Sequence, residues 1–200
     1  MNSAPVIAAA HRCVAAALRP GDRAVDATAG NGHDTVFLAE RVGPRGQVLA
    51  VDNQEAAVAS TRRRLQAAGI AERVTLCCTG HQRLADSAPG DWTGTVRGIL
   101  FNLGFLPGGD KSRITRPATT LEALETALFL LAPGGRLAVV AYPGHPGGAA
   151  EAVAVAAWVG HQAGCDFRRL ADGRPRLGRG AKGPRLSVLE RRFPGAHPPR

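Results

Sequence analysis

Short apolar runs of strand length alternate along this chain with longer stretches that have the spacing of amphipathic helices. The strand-like runs are RAVDAT, GQVLAVD, RVTLCCTG, VRGILFNLG, RLAVVAYPG and PRLSVLERRF. Parallel strands need long crossovers, which helices provide, so this alternation predicts a doubly wound, mostly parallel α/β sheet. No internal repeat or linker interrupts the pattern, and we expect one domain over residues 1–200.

Helices are predicted between these runs, each followed by a Gly. They are HDTVFLAERVG, QEAAVASTRRRLQAAG, TTLEALETALFLLAPGG and GGAAEAVAVAAWVGHQAG. The third is expected to stop at the Pro-Gly-Gly of residues 133–135. The N-terminal stretch SAPVIAAAHRCVAAAL is interrupted by His11 and Arg12, so it is predicted to be an amphipathic first helix rather than a signal peptide.

Composition excludes several other classes of protein. No apolar run approaches the roughly 20 residues that a membrane span needs, so we expect no membrane partner. The four cysteines form no CxxC pair, and two of them are adjacent. A structural metal site and a disulfide framework are therefore not expected, and a reducing cytoplasm fits this cysteine usage.

Positive charge is concentrated at the carboxyl end of the chain. Residues 166–200 contain ten Arg or Lys against three Asp or Glu, whereas the rest contains 15 against 13. A basic segment on a nearly neutral body predicts a polyanionic partner, nucleic acid first. The alternative is that the segment, which includes the Gly- and Arg-rich loop DGRPRLGRGAKGP, is only solvated.

A Gly-rich turn, VDATAGNGHDT, follows the first predicted strand. Gly30 and Gly32 match the first two positions of the dinucleotide fingerprint GxGxxG, but Thr35 occupies the third. The alternative pattern is an acid followed by a small-residue turn, here Asp26 and Thr28 with the two glycines. This form resembles the cofactor loop of class I S-adenosylmethionine-dependent methyltransferases, although Thr28 stands where a first Gly is usual.

A second acid, Asp52, ends the second predicted strand. A carboxylate at that place can accept hydrogen bonds from both ribose hydroxyls of an adenosine cofactor. Nicotinamide enzymes use an acid there too, so Asp52 discriminates between the two cofactors only together with the turn. For Asp26 and Asp52 alike, a helix cap or an ordinary loop residue is the alternative interpretation.

Five motifs occur in order along nearly the whole chain, and together they carry a resemblance. They are DATAGNGHDT, VDNQEAAV, TGHQRL, FNLGFLPGGDKS and YPGHPGG. The chain resembles the bacterial tRNA methyltransferases that act on the aminomethyl group of the wobble uridine, often labelled rRNA methylases. The resemblance implies a Rossmann-like class I fold with a seven-stranded type of sheet and S-adenosylmethionine as cofactor. It also implies methylation of 5-aminomethyl-2-thiouridine to the 5-methylaminomethyl form in the tRNA anticodon arm.

Carried over by motif, the resemblance implies a set of cofactor-binding residues. Those expected at the methionine end are Asp26, Thr28, Gly30, Asn31, Gly32 and His33. Asp52 and Gln54 would meet the ribose and its surroundings, and His81 would lie near the adenine. The alternatives are that His33 caps or packs against its helix and that His81 is an ordinary loop histidine.

The stretch FNLGFLPGGDKS is where an amine acceptor is expected. Asn102 ends the fourth predicted strand, and it resembles the Asn that orients the target nitrogen in amino-group methyltransferases of the N-P-P-[YF] type. Phe105 offers a face for stacking on an unstacked base. Asp110 is a candidate to take the amine proton, and Lys111 could contact phosphate. The alternatives are a turn Asn, a Phe that covers the core edge and a solvated Asp-Lys pair.

The motif YPGHPGG follows the fifth predicted strand and is expected to face the same pocket. It contains Tyr142 and His145, and the unperturbed pKa of a His suits proton acceptance. His145 and Asp110 are therefore rival general bases, with a structural role for His145 and proton loss to water as alternatives. Arg179 and Lys182, with Arg176 and Arg185, are expected to meet anticodon-arm phosphates.

The competing functions at this stage are a methyltransferase for rRNA or for a small-molecule amine and a cofactor-binding RNA-binding protein without activity. A nicotinamide oxidoreductase is a further rival, which Thr35 disfavours. The general base, the tRNA isoacceptors and the oligomeric state, including a homodimer, are open.

Overall fold

Helices and strands alternate in the computed structural model, which describes residues 4–104, 114–164, 166–170 and 183–195. The strands are β1 (Arg23–Asp26), β2 (Gln47–Asp52), β3 (Val74–Cys78), β4 (Val96–Asn102), β5 (Leu131–Ala141), β6 (Phe167–Leu170) and β7 (Arg185–Arg191). The helices are α1 (Ala4–Ala15), α2 (His33–Val42), α3 (Glu55–Ala67), α4 (Leu84–Ser87), α5 (Pro117–Leu130) and α6 (Gly148–Gln162). Single 3-10 turns lie at Ala71–Arg73, His81–Arg83 and Gly90–Trp92.

The seven strands form one sheet in the order β3-β2-β1-β4-β5-β7-β6. Strands β1 to β5 pair in parallel, and β7 runs antiparallel to both β5 and β6. The doubly wound, mostly parallel sheet predicted from the alternation of strands and helices is therefore confirmed.

Two apolar clusters lie on opposite faces of this sheet. In β4, Ile99 and Phe101 point into the cluster that contains α5 and α6. Leu100, between them, points into the cluster that contains α1, α2 and α3. Because side chains alternate across a strand, an uninterrupted apolar run is needed where both faces are covered. Burial of a side chain such as Phe101 contributes about 1.5–3 kcal/mol.

Helix α1 packs across β4, β5 and β7 and passes over Gly98 of β4. A Cβ placed on Gly98 would lie 2.6 Å from Val14 Cγ1 and 3.1 Å from Leu18 Cδ2. The missing side chain therefore lets α1 approach β4 closely. Because His11 lies in the same helix, this contact also fixes the position of His11 relative to β4.

One helix was predicted to stop at the Pro-Gly-Gly of residues 133–135, and this predicted end is wrong. Helix α5 ends at Leu130, and β5 begins at the next residue. Leu131 pairs with Val96, and the next paired residue, Arg136, faces Gly98, so four residues of β5 stand opposite one of β4. Pro133 has no N–H to pair with a neighbouring strand, and Gly134 has φ 75°, and a bulge accommodates both. Pro-Gly-Gly therefore interrupts a strand here and does not end a helix.

Strand β6 was missing from the sequence-based prediction. Its sequence, Phe-Arg-Arg-Leu, has no alternation of apolar and polar residues. It becomes a strand because β7 offers it an edge: Arg168 pairs with Glu190, and their side chains form an ion pair at 2.6 Å. A local pattern cannot predict a strand that pairing with a distant segment creates.

The carboxyl ends of β1, β2 and β4 meet at one edge of the sheet. Asp26 is in register with Ala50 of β2 and with Leu100 of β4. Asp52 and Asn102 lie two residues beyond these partners and end their strands. Three polar residues that are far apart in sequence are thereby brought to a single edge, where such sheets bind ligands.

Replacing Gly98 should disturb the seat of α1. For Gly98→Val we expect a loss of about 1–3 kcal/mol in the free energy of unfolding, because the new side chain overlaps Val14 and Leu18. Urea denaturation would measure it. Gly160→Ala is the matched control: nothing lies within 4 Å of a Cβ there, and Ala in helix α6 should be neutral or stabilising by up to about 1 kcal/mol. Equal stability of Gly98→Val and the parent protein would contradict this account of α1 packing.

Candidate functional site

The carboxyl group of Asp26 is fully buried beneath the Gly-rich turn. Its Oδ1 accepts a hydrogen bond from the backbone N–H of Thr28 at 3.1 Å, and its Oδ2 accepts from Thr35 Oγ1 at 2.6 Å. Burial raises the pKa of Asp26 well above its usual range, and the nearby Asp34 raises it further. Asp26 thus holds the turn from below, through the same Thr35 that breaks the dinucleotide fingerprint.

Residues 28–32 are tied to three elements around them. Thr28 Oγ1 accepts the backbone N–H of Asn102 at 2.7 Å, which gives a structural reason for a Thr where the common pattern has Gly. Thr61 Oγ1 donates to the carbonyl of Gly30 at 3.0 Å, and Arg64 Nε donates to the carbonyl of Asn31 at 2.8 Å. The turn is therefore fixed from β4 and from α3.

Gly32 is required by this packing. Its φ is 82°, a left-handed conformation, and a Cβ on it would lie 2.9 Å from Thr61 Cα. The turn consequently runs close against α3, with backbone rather than side chains on its surface. A Gly-rich turn before the start of a helix is a common place for a ligand to approach the backbone.

Asp52 presents both carboxylate oxygens at the end of β2. Oδ2 accepts the backbone N–H of Gly30 and Oδ1 that of Gln54, each at 2.9 Å. The residue is half-buried, and burial raises its pKa while the two hydrogen bonds oppose the rise. Each oxygen keeps a lone pair, so the carboxylate can accept from two neighbouring hydroxyl groups, as a ribose offers.

Asn102 ends β4 beside the turn, and its side chain meets Asp34. Asn102 Nδ2 donates to Asp34 Oδ2 at 3.3 Å, and Asp34 Oδ1 lies 2.7 Å from His11 Nε2. The His11 ring is stacked on Phe37, with ring centroids 3.8 Å apart. Neither Asp34 nor His11 was predicted from the sequence as a site residue, because α1 and the turn are brought together only by the fold.

Buried Glu151 of α6 organises the far side of the site and was also missed. Its carboxylate accepts hydrogen bonds from Thr115 Oγ1 at 2.6 Å and Thr120 Oγ1 at 2.7 Å. Thr115 Oγ1 in turn accepts the backbone N–H of Gly104 at 2.9 Å. Glu151 therefore ties the end of β4 to the start of α5, on either side of residues 105–113.

His81 lies in the same buried region. Its Nε2 is 3.5 Å from Thr120 Oγ1, and its ring is tilted against Phe101 at 6.0 Å between centroids. Burial lowers the pKa of His81 to about 4, so the ring is neutral near pH 7. A neutral aromatic ring can stack on a flat heterocycle, and contact with an adenine stays a prediction.

The turn after β5 faces the end of β4, as expected for YPGHPGG. A Cβ on Gly104 would lie 3.5 Å from His145 Nε2 and 3.8 Å from Tyr142 Cδ2. His145 Nδ1 is 2.9 Å from the carbonyl of Pro146. Gly104 has φ 134°, which favours Gly, so its bare backbone keeps the two rings close to the strand end.

The remaining predicted site residues divide into two groups. Gln54 is buried at the start of α3, and His33 is exposed in the first turn of α2. Six predicted residues lie outside the described part of the chain: Phe105, Asp110, Lys111, Arg176, Arg179 and Lys182. Arg185, at the start of β7, is described and exposed.

Two features are absent from the described part of the chain. Among the described residues, no helix is both long and apolar enough to cross a membrane. Within the same ranges, no three His, Cys, Asp or Glu side chains are grouped as metal ligands would be.

Comparison with known proteins identifies relatives of this chain. A family model described as "Putative rRNA methylase" matches residues 48–169. The tRNA (mnm(5)s(2)U34)-methyltransferase, chloroplastic, of Arabidopsis thaliana is 42% identical over 149 residues, which cover 70% of this chain and 54% of that protein. The chain thus spans about half the length of that relative. It spans 28% of the ribosomal RNA small subunit methyltransferase H of Symbiobacterium thermophilum, which is 33% identical over 90 residues, 45% of this chain.

Solved structures are similar over almost the whole chain. A protein from Clostridium thermocellum described as a "putative rRNA-methylase" is 35% identical, with a TM-score of 0.84 over 92% of this chain and 96% of that one. A protein from Streptococcus mutans described as a "putative methyltransferase", crystallised in complex with SAH, is also 35% identical, with a TM-score of 0.80 over 92% and 97% of the two chains.

The raised pKa of Asp26 should appear in the pH dependence of stability. The folded state holds this proton more tightly than the unfolded chain does, so its contribution to stability is present below about pH 4 and is lost as pH rises toward about 7. The difference in unfolding free energy between the parent protein and Asp26→Asn should fall across that window, by at most about 1.4 kcal/mol per pH unit. Denaturant titrations from pH 4.5 to 7.5 would measure it.

His81→Asn is the control with the opposite sign. The pKa of His81 is lowered in the fold, so the parent protein should gain stability relative to this variant as pH rises from about 4 to about 6.5. A difference for Asp26→Asn that does not change with pH would show that Asp26 is ionised in the folded protein throughout.

Proposed function

This chain belongs to the family described as "Putative rRNA methylase", and on that premise we propose that it is an S-adenosylmethionine-dependent RNA N-methyltransferase. The substrate we propose is 5-aminomethyluridine or its 2-thio form at the tRNA wobble position, and the product is the 5-methylaminomethyl form. The observation that carries this proposal is Asn102, whose amide N–H is directed to Asp34 at the edge of the sheet beside the Gly-rich turn. The 42% identity with a relative named for this reaction supports the choice of nucleoside.

The residues at the edge of the sheet fit the proposed cofactor. Asp52 has two oxygens for the ribose hydroxyls, and residues 28–32 offer a backbone surface for the methionine part. S-adenosylmethionine, when bound, supplies a methyl group on a sulfonium, which is already activated for displacement. The role of Asp26 in this arrangement is to hold the turn in shape, since both its oxygens accept bonds from within the protein.

The proposed work of the remaining residues is to orient and deprotonate the acceptor. In the reaction a nitrogen–carbon bond forms while the carbon–sulfur bond breaks, and one proton leaves the nitrogen. Asn102 Oδ1 would accept an N–H of the amine and so direct its lone pair along the line of displacement. An alkylamine is largely protonated at neutral pH, so a base or water must take a proton before transfer. Asp110 and His145 are the rival bases, and His145 lies against Gly104 at the end of β4.

RNA recognition is assigned to the residues that the motifs single out. Phe105 would stack on the target base and Lys111 would contact phosphate, while the basic segment that includes Arg179, Lys182 and Arg185 would meet the anticodon arm. Tyr142, beside Gly104, is placed to border the acceptor. We assign the protein to the cytoplasm because of its cysteine usage, although the Arabidopsis thaliana relative is named as chloroplastic.

An rRNA acceptor is the second candidate function. The description of the family and the match to ribosomal RNA small subunit methyltransferase H favour it. The geometry around Asn102 suits an amine in either RNA, so the acceptor has to be identified by experiment.

The nucleoside is tested in a deletion strain. We expect the unmethylated aminomethyl nucleoside to accumulate in tRNA and to disappear when the parent gene is restored, as measured by nucleoside mass spectrometry. Asn102→Ala should fail to restore methylation while still binding S-adenosylmethionine. Unchanged tRNA nucleosides together with a lost rRNA methyl group would favour the second candidate. Full restoration by Asn102→Ala would favour an RNA-binding protein whose effect needs no catalysis.

The cofactor is tested at Asp52. For Asp52→Ala we expect affinity for S-adenosylmethionine to fall by about 10–100-fold, since hydrogen bonds to a charged group contribute about 1.5–3 kcal/mol. Isothermal titration calorimetry would measure it, with NAD titrated in parallel. Asp22→Ala is the matched control, because its half-buried carboxylate accepts the backbone N–H of Arg19 just before β1, away from the carboxyl edge. Tighter binding of NAD than of S-adenosylmethionine would reject this cofactor.

A further inference from the structure

Asp34 connects the site to helix α1 through two hydrogen bonds. One carboxylate oxygen lies 2.7 Å from His11 Nε2, and the other accepts from Asn102 Nδ2 at 3.3 Å. Asp34 is 8% exposed, so solvent competes little for these oxygens. A buried carboxylate with one partner on each oxygen has little freedom to rotate, and it therefore sets the orientation of both partners.

The chemistry of a carboxylate determines which end of the Asn102 amide faces it. An ionised carboxylate only accepts hydrogen bonds, so the group directed to Asp34 must be the NH2 of Asn102. The Oδ1 of Asn102 is consequently turned away from Asp34. By the same reasoning, Nε2 of His11 carries the proton that faces Asp34. The orientations of three side chains thus follow from one charge.

The charge of Asp34 lies near a second carboxyl group, so a purely structural role for Asp34 would carry an electrostatic cost. Asp26 lies close enough that Asp34 raises its pKa, so the turn holds two carboxyl groups near each other. A neutral side chain in place of Asp34 would remove this repulsion. A carboxylate at position 34 is therefore expected where two hydrogen-bond-accepting oxygens are needed, even though it lies near Asp26.

Helix α1 holds His11 in place independently of the hydrogen bond. The ring of His11 is stacked on Phe37 with an angle of 2° between the ring planes, and Arg41 covers the Phe37 ring at 5.6 Å. The helix itself is seated against Gly98. His11 can therefore act as a fixed point from which Asp34, and through it Asn102, is oriented.

We propose that His11 and Asp34 are positioning residues that hold the Asn102 amide with its Oδ1 toward the acceptor amine. The inference rests on the proposed function for the identity of the acceptor, but the orientation itself can be measured without any substrate. Neither residue transfers a proton or contacts the methyl group in this proposal. They ensure that the acceptor meets a hydrogen-bond acceptor at β4 rather than an NH2 group.

A reciprocal exchange of the two side chains tests the proposal. Asn102→Asp alone places two carboxylates together, and we expect kcat to fall by about 100-fold or more. In the double variant Asp34→Asn with Asn102→Asp, the new amide at 34 donates to the carboxylate at 102 and accepts from His11. One oxygen at 102 again faces the acceptor, so kcat should recover by at least about 10-fold over Asn102→Asp. No recovery would overturn the proposal.

Two further variants separate positioning from a structural role. Asp34→Leu removes both hydrogen bonds while keeping the branch at Cγ, and His11→Phe keeps the ring stack but loses its bond to Asp34. For both we expect kcat for an aminomethyl anticodon stem-loop to fall by about 10–100-fold, with unchanged affinity for S-adenosylmethionine by calorimetry. Asp91→Leu is the matched control, expected within about threefold of the parent kcat, because Asp91 is exposed and pairs with Arg23 at the start of β1, the end of the strand opposite Asp26. A lower melting temperature with an unchanged kcat in Asp34→Leu and His11→Phe would show a structural role only.

Nuclear magnetic resonance reads the orientation directly. The side-chain NH2 resonances of Asn102 are identified by their loss in Asn102→Asp, and one proton should be shifted downfield by its bond to a carboxylate. That shift should vanish in Asp34→Leu, and an unchanged resonance would overturn the inference. An inactive parent protein with the expected resonances would instead reject the proposed function and leave the orientation established.

Discussion

The buried carboxyl of Asp26 is the contact on which the edge of the sheet depends. By accepting hydrogen bonds from Thr28 and Thr35, it sets the path of the chain as it leaves β1. Thr28 then receives the backbone N–H of Asn102, and Gly30 donates to Asp52. The ends of three parallel strands are joined by these short bonds, so a shift of the turn would move both the proposed cofactor-binding surface and Asn102, the residue proposed to bind the acceptor.

Three carboxyl groups near one turn create an electrostatic problem, and the fold resolves it unevenly. Asp26 is enclosed and its pKa is raised, while Asp34 is held between His11 and Asn102. Asp52 is half-buried, and two backbone N–H groups support its charge. Asp26 favours its protonated form, whereas Asp34 and Asp52 each have a hydrogen-bond partner on both carboxyl oxygens. Asp26 therefore stabilises the turn from within the core, while Asp34 and Asp52 present carboxyl oxygens at the edge of the sheet.

A feature could be predicted from the sequence where neighbouring residues encode it, and could not where it depends on residues far away in the chain. Continuous apolar runs, such as those of β2 and β4, predicted the strands that are buried on both faces. The start of β5 was mistaken for a helix end, because Pro-Gly-Gly is a common helix stop and the bulge opposite β4 cannot be seen locally. Strand β6 had no pattern of its own. In the site, Asp52 and Asn102 were found because each ends a predicted strand, whereas Glu151 sits within a helix whose neighbours only the fold defines.

The sequence by itself determined the order of β1 to β5 and β7 with the long helices between them, the polar residues at the strand ends and the motifs that relate this chain to its family. These features are local, since a strand end, a helix start and a Gly turn are each encoded within a few residues. Only the tertiary structure decided that His11 of the first helix meets Asp34, and that Thr115 and Thr120 share the carboxylate of Glu151. Such contacts join segments up to 36 residues apart through the packing of helices on both faces of the sheet, and no short-range pattern records them.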